Sequence, residues 1–227
     1  MRVILFDIDG TLIHTEGAGR AALHTALATE FAVTEPHHVD LSGRTDRGIC
    51  RELFDAHAIE HTPANWQRFR DAYLAGLQHH LATRPGRVLA GVHELVTRLK
   101  TLPRVSLGLL TGNVREGARH KLTHYALHEH FLYGGFGDTH HERDDVAREA
   151  LAAAQTHCGD HICGEHVWVI GDTPLDIRCA RAIGAKVVAV ATGTFSLEEL
   201  HAHQPDLAVK DLGQTVELLE VLVGERC

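Results

Sequence analysis

Residues Val3–Thr15 read VILFDIDGTLIHT, and the order of apolar, acidic and glycine positions in this stretch decides the fold. Val3 to Phe6 form a short apolar run bounded by a glycine turn, the pattern of a strand buried on both faces. Asp7 and Asp9 follow at once. Two carboxylates two positions apart repel each other, so stability does not explain them. A cation between them, or a proton held by one, is needed, and either places chemistry at the end of the first strand.

Further apolar runs lie at Val105–Leu110, Val167–Ile170 and Val187–Val190, with weaker ones at Phe131–Phe136 and Leu207–Val209. Between them are the helix-patterned stretches Gly91–Lys100, Val114–Tyr125, Arg143–His157, Leu175–Ile183 and Gln214–Val223. Strand alternating with helix predicts an α/β fold, a doubly wound parallel sheet covered on both faces. From about Glu16 to Arg84 the rhythm breaks into amphipathic helical patterns alone: GRAALHTALATEF, DRGICRELFDAH and PANWQRFRDAYLAGLQHHL. Thr62-Pro63 has the form of an N-cap followed by proline at the first helical position. TRPGR at Thr83–Arg87 closes the interval with a turn signal. The expected division is a core of residues 1–14 and 86–227 with an all-helical insert at 15–85.

The length of 227 residues suits one generous domain or a core plus a smaller insert. A formal net charge of −8 argues against sequence-independent nucleic-acid binding. No apolar stretch approaches the roughly 18–20 residues that cross a membrane, and Asp7 and Asp9 interrupt the only early apolar run, against a signal peptide. Five cysteines, an odd number, read as the reduced thiols of a cytoplasmic protein. Twenty histidines read as a compositional bias on solvated surfaces. Their densest cluster, HCGDHICGEH at His157–His166, lacks the Cys-x-x-Cys spacing of a zinc knuckle.

In an open parallel sheet, ligands bind beyond the carboxyl ends of the strands. The residues found there are DIDGT after the first strand, Thr111-Gly112-Asn113 after Leu110, and GDTPLD, with Asp172 and Asp176, after Ile170. Singly, each is an ordinary turn or helix cap. At successive strand ends they bring acids, hydroxyls and helix-start amides to one edge. Hard oxygen ligands suit Mg²⁺, and Thr111 with the amides of Gly112 and Asn113 suits a phosphate.

DIDGTL resembles the first motif of the haloacid dehalogenase-like hydrolase superfamily, LLTGN its second and VIGDTPLDI its fourth. GRTD at Gly43–Asp46 and DIRCARAIGAKVVAVATG downstream are similar to phosphoglycolate phosphatase-like members. The resemblance covers nearly the whole chain. It implies a Rossmann-like core with a helical cap, and hydrolysis of a small phosphorylated metabolite by a monomer or homodimer. Asp7 would be the nucleophile and Asp9 the general acid and base. Asp172, Asp7 and the backbone carbonyl of Asp9 would hold Mg²⁺, with Asp176 in support. Thr111 and Asn113 would bind the phosphoryl group, and Thr11 would brace the Asp9 region beside it. In the insert, Arg44 or Thr45 of LSGRTDRGIC would reach the leaving group.

The third family motif usually supplies a lysine, and none lies in FGDTHHERDDVAREAL. Arg143 is the expected substitute; Lys121, in ARHKLTHYAL, reads as a surface helix position. Competing chemistries fare less well. A dehalogenase needs no acid at position 9, and a Schiff-base phosphonate hydrolase needs a cap lysine, whereas the first lysine here is Lys100. A phosphohexose mutase and a non-catalytic phosphate-binding protein remain as alternatives.

Overall fold

The computed structural model describes residues 1–224. The central sheet contains β1 (Arg2–Phe6), β4 (Val105–Leu110), β5 (Gly134–Gly135), β6 (Val167–Gly171), β7 (Lys186–Val190) and β8 (Leu207–Val209). They are all parallel, in the order β5-β4-β1-β6-β7-β8. Because side chains alternate along a strand, the apolar runs feed two cores. Ile4 and Phe6 of β1, with Trp168 and Ile170 of β6, pack on one face. Val3 and Leu5, with Val167 and Val169, pack on the other.

The first face is covered by α4 (Val92–Thr101), α5 (Arg115–His124) and α9 (Thr215–Val223). The second is covered by α6 (Arg143–Cys158), α7 (Pro174–Ala182) and α8 (Leu197–Ala202). Strand order therefore reverses beside β1, so the ends of β1, β4 and β6 meet at the crevice where such sheets bind ligands. The weak run Phe131–Phe136 contributes only Gly134–Gly135 as an edge strand. Gly135 admits α6 closely: a Cβ there would lie 2.2 Å from the Val146 carbonyl oxygen. The helix α8 was not expected, although Ser196 and Glu199 form a capping box at its start.

Between β1 and α4 the chain builds α1 (Ala18–Phe31), α2 (Asp46–Ala56) and α3 (Pro63–Thr83), which share a third apolar core around Leu27, Phe54 and Phe69. Thr62 caps α3 by accepting a hydrogen bond from the Asn65 amide at 3.1 Å. A short antiparallel ribbon joins this insert to the sheet, pairing β2 (Ile13–His14) with β3 (Arg87–Val88). The ribbon has only two residues a side, too few to carry a readable alternation.

Candidate active site

β1 ends at Phe6, and the Asp7 amide still donates to the Ile170 carbonyl of β6 at 2.9 Å. The Asp7 side chain is thereby fixed beside the loop after β6. Gly10, at φ 83°, turns the chain back sharply. Asp7, Asp172 and Asp176 place carboxylate oxygens within 4.8 Å of one another, all buried; this is the only such group of three or more metal-binding side chains among the described residues. The Asp172 carboxylate is wedged between glycines, since a Cβ on Gly193 or Gly10 would lie 1.7 or 2.3 Å from its Oδ2. Asp176 accepts from the Thr173 amide at 3.0 Å and the Thr173 hydroxyl at 2.8 Å, which closes a capping box at the start of α7.

Arg143, the first residue of α6, enters this cluster as the sequence suggested. Its Nη2 lies 2.8 Å from Asp7 Oδ1 and 2.5 Å from Asp176 Oδ1, with 3% of the residue exposed. Burial opposes its charge, but the carboxylates of Asp176 and Asp7 hold it ionised. Three ionised carboxylates and one guanidinium would leave two negative charges uncompensated in a buried site. Burial and the charge of Asp176 push the Asp7 carboxyl up to about 6, although Arg143 opposes the shift. Asp172 is pushed well above the carboxylate range by burial and by Asp7 and Asp176. A divalent cation fits this donor set and its charge.

Several expected contacts are corrected. Thr11 braces not the Asp9 region but Asp172, to whose Oδ1 its hydroxyl donates at 3.1 Å. It is fully buried. The Asn113 amide nitrogen donates to Asp9 Oδ2 and to Thr111 Oγ1, both at 2.8 Å, so its two hydrogens are committed to protein partners rather than to phosphate. The first amides of α5 are also taken: Asp46 Oδ2 accepts from Val114 and Asp138 Oδ2 from Arg115, each at 2.8 Å. Gly112 lines the cavity, and its N–H makes no hydrogen bond among the described residues.

Thr45 is the N-cap of α2, accepting from Gly48 and donating to the His141 carbonyl at 2.9 Å, so its hydroxyl is not available to a substrate. Arg44 lines the cavity, but its guanidinium pairs with Glu52 at 2.6 Å within the insert. Lys121 is not a surface residue. Gly117, Ala118, Lys121 and Leu122 are the buried face of α5, and Lys121 Nζ lies 2.6 Å from Asp9 Oδ2. Its spacing of three and four residues from Ala118 and Gly117 was the available signal. Among the described residues, the Cys and His side chains of His157–His166 form no comparable group; Cys163 Sγ lies 3.2 Å from His166 Nδ1.

The segment 43–48 of the insert seats directly on the core. The Asp46 amide donates to the Gly112 carbonyl at 2.7 Å, and Arg143 Nη1 to the Gly43 carbonyl at 3.2 Å. Close approach requires glycine: a Cβ on Gly112 would lie 1.9 Å from the Arg44 carbonyl oxygen. Between insert and core is a cavity of about 330 Å³, lined by Asp7, Asp9, Asp172, Arg143 and Lys121 from the core and by Arg20, Asp46 and Tyr73 from the insert. Burial pushes the Asp46 carboxyl up to about 6, with Lys121 and the Val114 amide opposing. A larger cleft, about 810 Å³, lies at the opposite edge of the sheet by Arg2 and Lys186 and holds none of these acids.

Residues 4–190 match the model of the haloacid dehalogenase-like hydrolase family. The chain belongs to this family. The hydrolase is 27% identical over 224 residues to a 5'-nucleotidase of Pseudomonas aeruginosa, covering 96% of this chain and 95% of that one. It is 25% identical over 225 residues to a phosphoglycolate phosphatase of Chromobacterium violaceum, covering 97% of each. Among solved structures, CbbY of Rhodobacter sphaeroides, in complex with xylulose-(1,5)bisphosphate, superposes with a TM-score of 0.75 at 18% identity, covering 94% of this chain and 96% of that one. That likeness supports the fold.

Proposed function

We propose that this hydrolase is a Mg²⁺-dependent phosphatase that cleaves a small phosphate monoester, of the phosphoglycolate type, through an aspartyl-phosphate intermediate. The observation that carries the reading is the buried Asp7, Asp172 and Asp176 cluster with Arg143, opening on the same cavity as Asp9. Asp7 Oδ1 is held by Arg143, which leaves Oδ2 to attack phosphorus. As that bond forms, the bond from phosphorus to the ester oxygen breaks, and Asp9 gives its proton to the departing oxygen. Asp9 then takes a proton from water, whose oxygen displaces Asp7 from phosphorus and releases phosphate.

Asp7, Asp172 and the Asp9 carbonyl, with Asp176 in support, would hold Mg²⁺, whose charge would offset that of the phosphoryl oxygens. Arg143 and the Thr111 hydroxyl contact the same oxygens, together with the Gly112 amide. The insert acts as a cap that excludes water from the reaction. Free thiols at Cys50, Cys158, Cys163 and Cys179 accord with a cytoplasmic location.

The test is release of p-nitrophenol from p-nitrophenyl phosphate with Mg²⁺ present. The native protein should turn over, whereas Asp7→Asn should lose activity by about 10⁴-fold or more. No release by the native protein would favour a binding role instead.

A further inference from the structure

We infer that Lys121 is a positioning residue for proton transfer, clamping one oxygen of Asp9 so that the other works on the substrate. The inference rests on the role proposed for Asp9. Lys121 is 4% exposed, while the Asp9 side chain to which it bonds is 42% exposed, on the wall of the cavity. A buried ammonium is costly unless its hydrogens are matched by acceptors. Lys121 Nζ donates to Asp9 Oδ2 and to Asn113 Oδ1, both at 2.6 Å.

Asn113 completes the clamp. Its amide donates to the same Asp9 Oδ2 at 2.8 Å and, at the same distance, to Thr111 Oγ1. Asp9 Oδ2 thus accepts from two fixed donors, one on α5 and one at the end of β4. Oδ1 makes no hydrogen bond among the described residues and is the oxygen left to exchange a proton. A carboxylate held by one atom at two donors cannot rotate, so the free oxygen keeps one direction. The compact lysine head suits this task, because it meets two acceptors at 2.6 Å where a planar guanidinium needs more room. Gly19 of α1 lies over the ammonium, where a Cβ would come within 3.6 Å of Nζ.

A residue that acts through Asp9 should matter most when the departing oxygen needs a proton. Phenolate leaves poorly without one and p-nitrophenolate leaves well. Lys121→Met should therefore lower kcat/KM for phenyl phosphate by about 100-fold and for p-nitrophenyl phosphate by less than about tenfold. Lys121→Arg, which keeps the charge but needs more room, should leave phenyl phosphate cleavage at least about tenfold below native. The retained p-nitrophenyl phosphate activity shows that the variant is folded; if Lys121→Met is insoluble, Lys121→Gln is read in the same way. Equal losses on both substrates would overturn the inference. Asp9→Asn separates the two levels: a selective loss there, with none in Lys121→Met, leaves the phosphatase reading standing and removes only the clamp. An equal loss in Asp9→Asn would remove the acid role itself.

Discussion

The site has two halves, and they are built differently. Asp7, Asp172 and Asp176 stand just beyond the carboxyl ends of β1 and β6, on backbone that the sheet fixes. Asp9, Lys121 and Asp46 meet at the seam between core and insert, from a turn, a helix face and a helix start. The first half is buried at the floor of the cavity, and its one cation among the described residues, Arg143, is shared by two acids. The second half is open to the cavity through Asp9, and its charges come from three separate elements. Strand ends thus make a rigid charge trap, while the seam makes a site that depends on the insert being seated.

The comparison breaks most clearly at Arg143. Arg143→Ala leaves Asp7 and Asp176 without their counter-charge, and removing one partner of a buried pair costs about 3–5 kcal/mol. Urea unfolding in EDTA should show that loss, with turnover reduced as well; an unchanged unfolding midpoint would mean the trap does not need its arginine. In the open half, Asp9→Asn should cost less stability than Arg143→Ala, because it keeps an acceptor for Lys121, but slow turnover by about 10²- to 10⁴-fold. Calorimetry should find Mg²⁺ affinity within about threefold of native, because the Asp9 side chain points to Lys121 and not to the acid cluster. Equal losses of metal binding and turnover would erase the distinction between the halves.

The smallest effect, on the seam, is one of pH. The Asp46 carboxyl sits at about 6 in the folded chain against an ordinary value of 3.8. Between those values the native state holds a proton that the unfolded chain has released. Asp46 therefore contributes stability at low pH that is lost as pH rises through about 6. Asp46→Asn keeps an acceptor for the Val114 amide and removes the titration. Its stability should fall less than that of the native protein from pH 4 to pH 7, by roughly 2 kcal/mol. Parallel curves for the two proteins would show that Asp46 does not titrate in the seam.

Legibility followed the same division. DIDGTL, LLTGN and VIGDTPLDI were readable because a buried strand is a contiguous apolar run and its last residue is followed directly by the side chains it presents. Arg143 was found by what the third motif lacked, although its neighbours in HHERDD suggest a solvated run. Lys121 was misplaced because a lysine in a helix is ordinarily exposed, and only its spacing from Ala118 and Gly117 told otherwise. Asp46 shows no role within GRTD, since nothing local says that a helix-start acid will cap another helix across the seam. Thr45 and Asn113 were given to the substrate, whereas the fold gives them to the protein.

The sequence by itself determined the doubly wound core, the helical interval and the acids at the strand ends, because these follow from periodicity and adjacency along the chain. Tertiary structure alone decided which of those polar atoms face the cavity and which are used up within the protein. The reason is that a hydrogen bond between residues far apart in the chain, 112 positions for Lys121 to Asp9 and 68 for Val114 to Asp46, leaves no periodic trace in either segment. It exists only once the turn after β1, or the insert, is brought against α5.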